Sequence, residues 1–312
     1  MGLTVNELSM FDLNYLDCSK VQYVSYLKHK GFHVEALYYS CLDTSDEIYE
    51  QIINQKKSRW HFDELGFQQE DWPLIGVKKR NVHAESLDPL RYGISRLIEK
   101  GEVVFLSVEV FHVPHRHRSY QKERSPHSLM INGMAPDGDF NILDEAAPIF
   151  SHFKYPWSLV DQCFSEGTGF RNITFFEEIE KRSTKDIQKE AKHLFNQHLD
   201  TFEDSHRLHN HLFEFLVSKE EVDFIDTLQQ LSAAYTLLSG SREMFSKFAK
   251  FIDMDKVIVE TAVASSDASN QIRNTLNKAI LRRRLKNEML SEKVRELVQI
   301  EQHLVSLLKA GR

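Results

Sequence analysis

The sequence predicts an α+β chain in two parts, 1–178 and 179–312, and two observations predict it. Residues 1 to about 175 mix helical and strand patterns and hold all seven prolines and most of the glycines. From about 184 onward the pattern is helical throughout, with no proline after Pro156.

The first element is the helix in DCSKVQYVSYLKHKG. Val21, Val24 and Leu27 recur at helical spacing, the start falls at Asp17 or Cys18, and Gly31 ends it as a C-terminal cap. FHVEALYYSC then reads as a short strand, and LDPLRYGISRLIEKG as a helix with Pro89 in its first turn and Gly101 at its end. EVVFLSVEVFHVP is a β-branched and aromatic run closed by proline, followed by a loop rich in histidine and arginine. HSLMIN and FNILD face each other around APDGD, whose Asp-Gly pair marks a reverse turn. Helix first and strands after is the order of an α+β fold rather than of alternating βαβ units. The second part reads as the amphipathic helices STKDIQKEAKHLFNQHLDTFEDSHRLHNHLFEFLVS, SKEEVDFIDTLQQLSAAYTLLSG, SREMFSKFAKF and SDASNQIRNTLNKAILRRRLKNEMLSEKVRELVQIEQHLVSLLKAG. Several open on a serine with an acid about one turn later, as capping boxes do, and a helical bundle or arm is expected.

Composition narrows the function classes. With 312 residues and 41% hydrophobic content the chain can bury two ordinary cores. Its 39 basic and 46 acidic residues give a net charge of -7, which favours neither nucleic acid nor an anionic membrane as partner. No apolar run is long enough to span a bilayer, and the polar start MGLTVNELSMFDLNY has no signal-peptide core, so a soluble, cytosolic protein is expected. Cys18, Cys41 and Cys163 are irregularly spaced and odd in number, which fits reduced thiols rather than a disulfide framework or a zinc ribbon.

Cysteine reacts as its thiolate, and a helix N-terminus favours negative charge through its unpaired N–H groups and its dipole. Cys18 stands at such a start. A thiol nucleophile also needs a base to take its proton and a third group to hold that base in the right tautomer. The hairpin offers both. His127 opens its first strand and Asp144 closes its second, roughly equidistant from the turn, so a shared face would let Asp144 accept from the His127 ring. Separately, Cys18 reads as a small buried hydrophobe and the His–Asp pair as surface decoration. Their combination in this order points to chemistry.

Over residues 10–175 that combination resembles papain-like folds and, more narrowly, the butirosin biosynthesis H family of acyltransferases. LDCSKVQYVSYLKHKGF is similar to the family's cysteine-bearing first helix. EVVFLSVEVFHVPHRHRSYQKERSPHSLMINGMAPDGDFNILDEAAP is similar to its strand, its aromatic turn with proline, its histidine strand with a following glycine, and its aspartate strand. The resemblance implies a papain-like catalytic domain over 1–178, with Cys18 as nucleophile, His127 as general base, Asp144 as its orienter and Gly133 as the small residue closing the histidine strand. It implies an all-helical domain over 179–312 that shapes a carrier or acceptor surface.

The implied activity is acyl transfer in specialised metabolite assembly, of the antibiotic and nonribosomal peptide kind. The cysteine takes an acyl group from the phosphopantetheine thioester of an acyl or peptidyl carrier protein and passes it to an amine-containing small molecule. No bound cofactor and no metal are expected, and a homodimer is allowed. Two positions depart from the family. Papain-like enzymes often carry a glutamine upstream of the cysteine as oxyanion donor; Asp12 holds that place here, leaving the Asn14 amide and the Cys18 backbone N–H as candidates. Glu109 stands where the family has aspartate. The alternatives on the same residues are a cysteine hydrolase or cyclising thioesterase, or a non-catalytic scaffold in a biosynthetic assembly.

HVPHRHR brings His112, His115 and His117 together with Arg116 and Arg118. It reads as a solvated loop rather than a metal site, with Arg116 and Arg118 as contacts for an acidic carrier protein or its phosphopantetheine phosphate. His206, His209 and His211 read as helix-surface histidines, and ILRRRLK, Ile280 to Lys286, as a basic face of the last long helix. Cys41 reads as core, and Cys163 has no base near it in the pattern.

Overall fold

The computed structural model describes residues 7–12, 15–63, 66–68, 70–146, 148–167, 171–217, 224–285 and 287–311. Its elements run α1 (Cys18–His29), α2 (Ser45–Ile48), β1 (Val77–His83), α3 (Arg91–Glu99), β2 (Val104–Glu109), β3 (Pro126–Met134), β4 (Phe140–Ala146), β5 (Ile149–Tyr155), α4 (Trp157–Ser165) and β6 (Asn172–Glu178). After these come α5 (Thr184–Asp200), α6 (Arg207–Val217), α7 (Phe224–Phe251), α8 (Lys256–Arg282) and α9 (Asn287–Ala310). Helices and one antiparallel sheet make the α+β class expected from the pattern. The chain forms two compact units: Met1–Leu13 with Asp17–Phe32 and Gly76–Lys181, and Asn14–Leu16 with His33–Ile75 and Arg182–Arg312. Unit two thus takes in residues 33–75, which a contiguous division leaves with the first part.

Unit one is built on a six-stranded sheet in the order β1-β6-β2-β3-β4-β5, antiparallel at every pairing. Strand side chains alternate between faces. One set, Val104, Leu106, Leu129, Ile131 and Ile142, packs with Ile94 and Ile98 of α3 and Val160 and Phe164 of α4. On the other face Phe105 meets Tyr23 of α1 edge-on at 4.7 Å, and Phe176 of β6 at 5.9 Å. The sheet is therefore covered by α1 on one side and by α3 and α4 on the other.

Helix α1 begins where its cap dictates. Asp17 is extended and its side chain accepts from the Lys20 N–H at 2.8 Å, so Cys18 is the first helical residue. Gly31, at φ +89°, ends it in a conformation that suits glycine. The β3–β4 hairpin turns at 135–139, where the Ala135 N–H donates to the Asp139 carbonyl at 2.8 Å and Gly138 sits at φ +86°. Gly133 lies where the β3–β4 register shifts.

Several expectations are corrected. FHVEALYYSC is no strand: Val34–Ser40 is a 3-10 helix, and Val34, Ala36, Leu37 and Tyr38 are all buried, without the alternation a half-buried strand would show. The break expected after LLSG is absent. Helix α7 runs through Gly240, where a Cβ would collide with Tyr15. The two other long helical patterns each divide, at His206 (φ +63°) and at Arg283 (φ +50°). Of ILRRRLK, residues 280–285 span the end of α8 and the turn after it rather than one continuous helix, and Lys286 lies outside the described residues. His209 is wholly buried beside the Tyr235 hydroxyl, 3.0 Å away, instead of lying on a helix surface. Among the described residues no helix is long and apolar enough to cross a membrane.

Candidate active site

The site lies in unit one, at the start of β3. Alternation along β3 sends Ser128 toward α1 and His127 toward the α3–α4 side, as for Leu129 and Ile131. Asp144 shares its face with Ile142, and so with His127, by the β3–β4 register. The two meet as a diagonal cross-strand pair, His127 Nε2 to Asp144 Oδ1 at 2.8 Å. Both are buried, Asp144 at 1% exposure. The α1 side is pinned one residue further on. Gln22, a turn after Cys18, donates through Nε2 to the Ser128 carbonyl at 2.7 Å and accepts from the Ser128 hydroxyl at 2.7 Å. The result brings a ring nitrogen of His127, the Cys18 sulfur and a carboxylate oxygen of Glu145 within 4.8 Å of one another.

The histidine-rich loop closes over the same place. Its ends are tied by the Val110 N–H donating to the Ser125 carbonyl at 3.1 Å, and Arg124 pairs with the buried Glu109 at the end of β2 at 3.3 Å. Within it Arg116 turns inward, donating from Nε to Asp144 Oδ2 and from Nη2 to Asp144 Oδ1, each at 2.7 Å. This corrects the reading of a solvated loop: Arg116 is engaged inside unit one, while Arg118 is exposed. His115 joins it, with Nε2 2.6 Å from Asp144 Oδ2 and Nδ1 2.6 Å from the Tyr155 hydroxyl, its ring stacked on Phe153 at 3.7 Å. Asp144 is thus held by three side chains.

Arg116 Nη2 also lies 2.7 Å from His127 Nε2. A guanidinium only donates, so Nε2 has two tautomeric uses: protonated toward Asp144, or bare and accepting from Arg116. Only the first leaves Nδ1 bare for a thiol proton.

Burial works to raise the Asp144 carboxyl, but the hydrogen bonds from His115 and His127, the His127 charge and Arg116 outweigh it and hold the group well below the usual carboxylate range. Cys18 goes the other way. Burial, then the charges of Glu145 and Asp17, push its thiol well above the ordinary value, opposed by a backbone hydrogen bond from Ser128. The lowering expected of a helix start is not seen here: burial first, and then the neighbouring carboxylates, raise the thiol. Glu145 is itself raised, by burial first and by Asp144 and Asp17, against the His127 and Arg116 charges. Among the described residues, Cys18, His127 and Glu145 are the group whose donors could close on a divalent ion, a thiolate–imidazole–carboxylate set suited to zinc.

Other expected site residues fall as follows. Asn14 lies outside the described residues, and Asp12 is buried. Cys163 is buried with its thiol donating to the His112 carbonyl at 3.1 Å, and burial pushes it up to about 12. Cys41 is core, its thiol on the Gly66 carbonyl. Sequence reasoning missed Gln22, Ser128, Tyr155 and Glu145, and placed His115 in a solvated loop instead of on Asp144. Gln22 was readable as one turn along from Cys18, and Glu145 as the next residue after Asp144 on the opposite face of its strand.

No family model matches the chain. It is 22% identical over 303 residues, 97% of this chain and 98% of the relative, to the ribostamycin:4-(gamma-L-glutamylamino)-(S)-2-hydroxybutanoyl-[BtrI acyl-carrier protein] 4-(gamma-L-glutamylamino)-(S)-2-hydroxybutanoate transferase of Niallia circulans. The chain is butirosin biosynthesis H-like over essentially its full length. The butirosin biosynthesis H-like likeness therefore extends beyond residues 10–175, across the C-terminal helices as well. The relative is, by its name, a transferase that takes its acyl group from a carrier protein.

Proposed function

We propose that the chain is a cysteine-dependent acyltransferase that moves an acyl group from a carrier-protein thioester to an amine, in specialised metabolite assembly. The observation that carries this is the Cys18 sulfur within 4.8 Å of a His127 ring nitrogen, with His127 Nε2 bound to Asp144. The transferase relative supports it. On this reading unit one is papain-like in arrangement, and the helical part, 179–312, supplies a carrier or acceptor surface.

In the first step Cys18 Sγ attacks the carbonyl carbon of the donor thioester while its proton passes to His127 Nδ1. Because the thiol is raised, that transfer accompanies attack instead of preceding it. Asp144 holds Nε2–H and stabilises the imidazolium. The C–S bond to the phosphopantetheine arm breaks, its thiolate leaves with the proton from His127, and an acyl-Cys18 thioester remains. In the second step an amine attacks that thioester, and amide formation drives the sequence forward. The first N–H groups of α1, including that of Cys18, are the oxyanion donors on this reading.

The test is intact mass spectrometry after mixing the chain with a loaded acyl carrier protein, the relative's donor and ribostamycin being the first pair to try. The expected result is a mass gain equal to the acyl group, lost in Cys18→Ala and slowed on the order of a thousandfold in His127→Ala. Turnover with no adduct on Cys18 would sink the reading. The silent-scaffold alternative has the raised thiol in its favour. It predicts that Cys18 resists iodoacetamide at neutral pH and that His127→Ala leaves this unchanged.

A further inference from the structure

We propose that Glu145 is the residue that receives the acceptor amine, binding its ammonium form and taking the proton that frees the nucleophile. The proposal rests on the acyltransferase reading and deepens it.

Alternation on β4 puts Asp144 on the face of His127 and Glu145 on the face that α1 covers. There a Glu145 oxygen lies within 4.8 Å of both the Cys18 sulfur and a His127 ring nitrogen. Its carboxylate is poorly partnered. Oε1 is 3.6 Å from Arg116 Nη2, which donates to Asp144 Oδ1 and, at 3.4 Å, to the Glu145 backbone carbonyl and borders His127 Nε2, and Oε2 is buried without a hydrogen-bond partner among the described residues. The side chain remains 24% exposed, so a small group can approach it.

A carboxylate in this place hinders thiolate formation, since like charges oppose each other. That hindrance ends once Cys18 is acylated, because the thioester carries no charge. The same carboxylate then stands beside the reacting carbonyl, where it attracts a cation and offers an unused acceptor oxygen. An ammonium satisfies both.

The step balances as follows. The ammonium gives one proton to a Glu145 oxygen, and the freed lone pair attacks the carbonyl carbon of the acyl-Cys18 thioester, forming the C–N bond. The C–S bond then breaks, with its electron pair returning to sulfur. The second N–H proton passes to His127, leaving an amide, a Cys18 thiolate, an imidazolium and a protonated Glu145 that releases its proton to solvent.

The test uses the full chain, a butyryl thioester of N-acetylcysteamine as donor and 1,3-diaminopropane as amine, following the Cys18 adduct by intact mass. In the native chain the amine should accelerate loss of the adduct. In Glu145→Gln the adduct should form at least as fast, its loss to water should stay within about threefold, and its loss to the amine should slow about a hundredfold. Glu145→Asp, which keeps the charge one methylene back, should fall between. Undiminished amine-dependent loss in Glu145→Gln, an equal fall in hydrolysis, or no amine acceleration in the native chain would each overturn the proposal. Absence of any Cys18 adduct in the native chain would instead show that the acyltransferase reading had failed, and Glu145 would fall with it.

Discussion

At the scale of single residues, the two arginines of the histidine-rich loop separate into different jobs. Arg116 grips both oxygens of Asp144 and borders His127 Nε2, whereas Arg118 is exposed. A group that orients a catalytic side chain from behind acts on turnover, while a surface cation acts on encounter with an acidic partner. Arg116→Ala should therefore lower kcat about ten- to a hundredfold with little change in KM for carrier-bound donor. Arg118→Glu should raise that KM, more so at low salt, with kcat kept. Steady-state kinetics of both variants decides the matter. A KM effect confined to Arg116→Ala would return Arg116 to carrier docking and remove it from the site. The Asp144 carboxyl adds a pH consequence. Its folded value lies below its unfolded one, so it contributes stability that is full above the ordinary carboxylate range and is lost progressively as the pH falls from that range toward the lower folded value.

At the scale of elements, the distance between nucleophile and base is set by the clamp between α1 and β3. Gln22 and Ser128 exchange two hydrogen bonds in the interior, and each flanks a reacting residue, Cys18 by a helical turn and His127 by one strand position. Gln22→Leu keeps the volume and strands the Ser128 carbonyl and hydroxyl, at a cost of about 1–3 kcal/mol for the unmet groups. It should also lower the rate of Cys18 alkylation. Urea denaturation and iodoacetamide kinetics read the two effects, and unchanged values in both would show that the clamp does not set the site. Elements fixed by neighbours in sequence were legible: the α1 start at Asp17 or Cys18, the Gly31 stop, the 135–139 turn and the two strands it joins. The His127/Asp144 pair followed from that hairpin. What was not legible depends on partners far along the chain. Gly240 looked like a helix end because its reason for being glycine is Tyr15. β1 and β5 are edge strands carrying Lys, Arg and His, so no clean apolar alternation marks them. Arg116 looked solvated because only the closure of its loop onto β4 gives it Asp144.

At the scale of the whole molecule, the two units are stabilised differently. Unit one buries an apolar layer on each face of its sheet, while unit two threads a charged network through its helices. Arg242 of α7, wholly buried, donates from Nε at 2.9 Å and Nη2 at 2.6 Å to Glu301 of α9, and from Nη1 at 2.8 Å to the Asp43 carbonyl. Ser265 of α8 closes on the same carboxylate. Three helices and the segment after Cys41 thus share one ion pair. Burial alone would raise Glu301, but the Arg242 charge and hydrogen bonds and Ser265 hold it below the ordinary value, so it stays ionised. A buried pair of this kind costs much desolvation, and breaking it leaves a charge with nowhere to go. Glu301→Gln should therefore destabilise the chain by about 3–5 kcal/mol. Removing both charges in Arg242→Leu with Glu301→Leu should cost less than the single change, since no ion is then left alone in the interior. The remaining loss would come from the Asp43 carbonyl and the Ser265 hydroxyl, which lose their partners. Chemical denaturation of the three proteins at neutral pH measures this directly. A double variant less stable than Glu301→Gln would mean that the pair supplies net stability, not only the arrangement of α7, α8 and α9 around it.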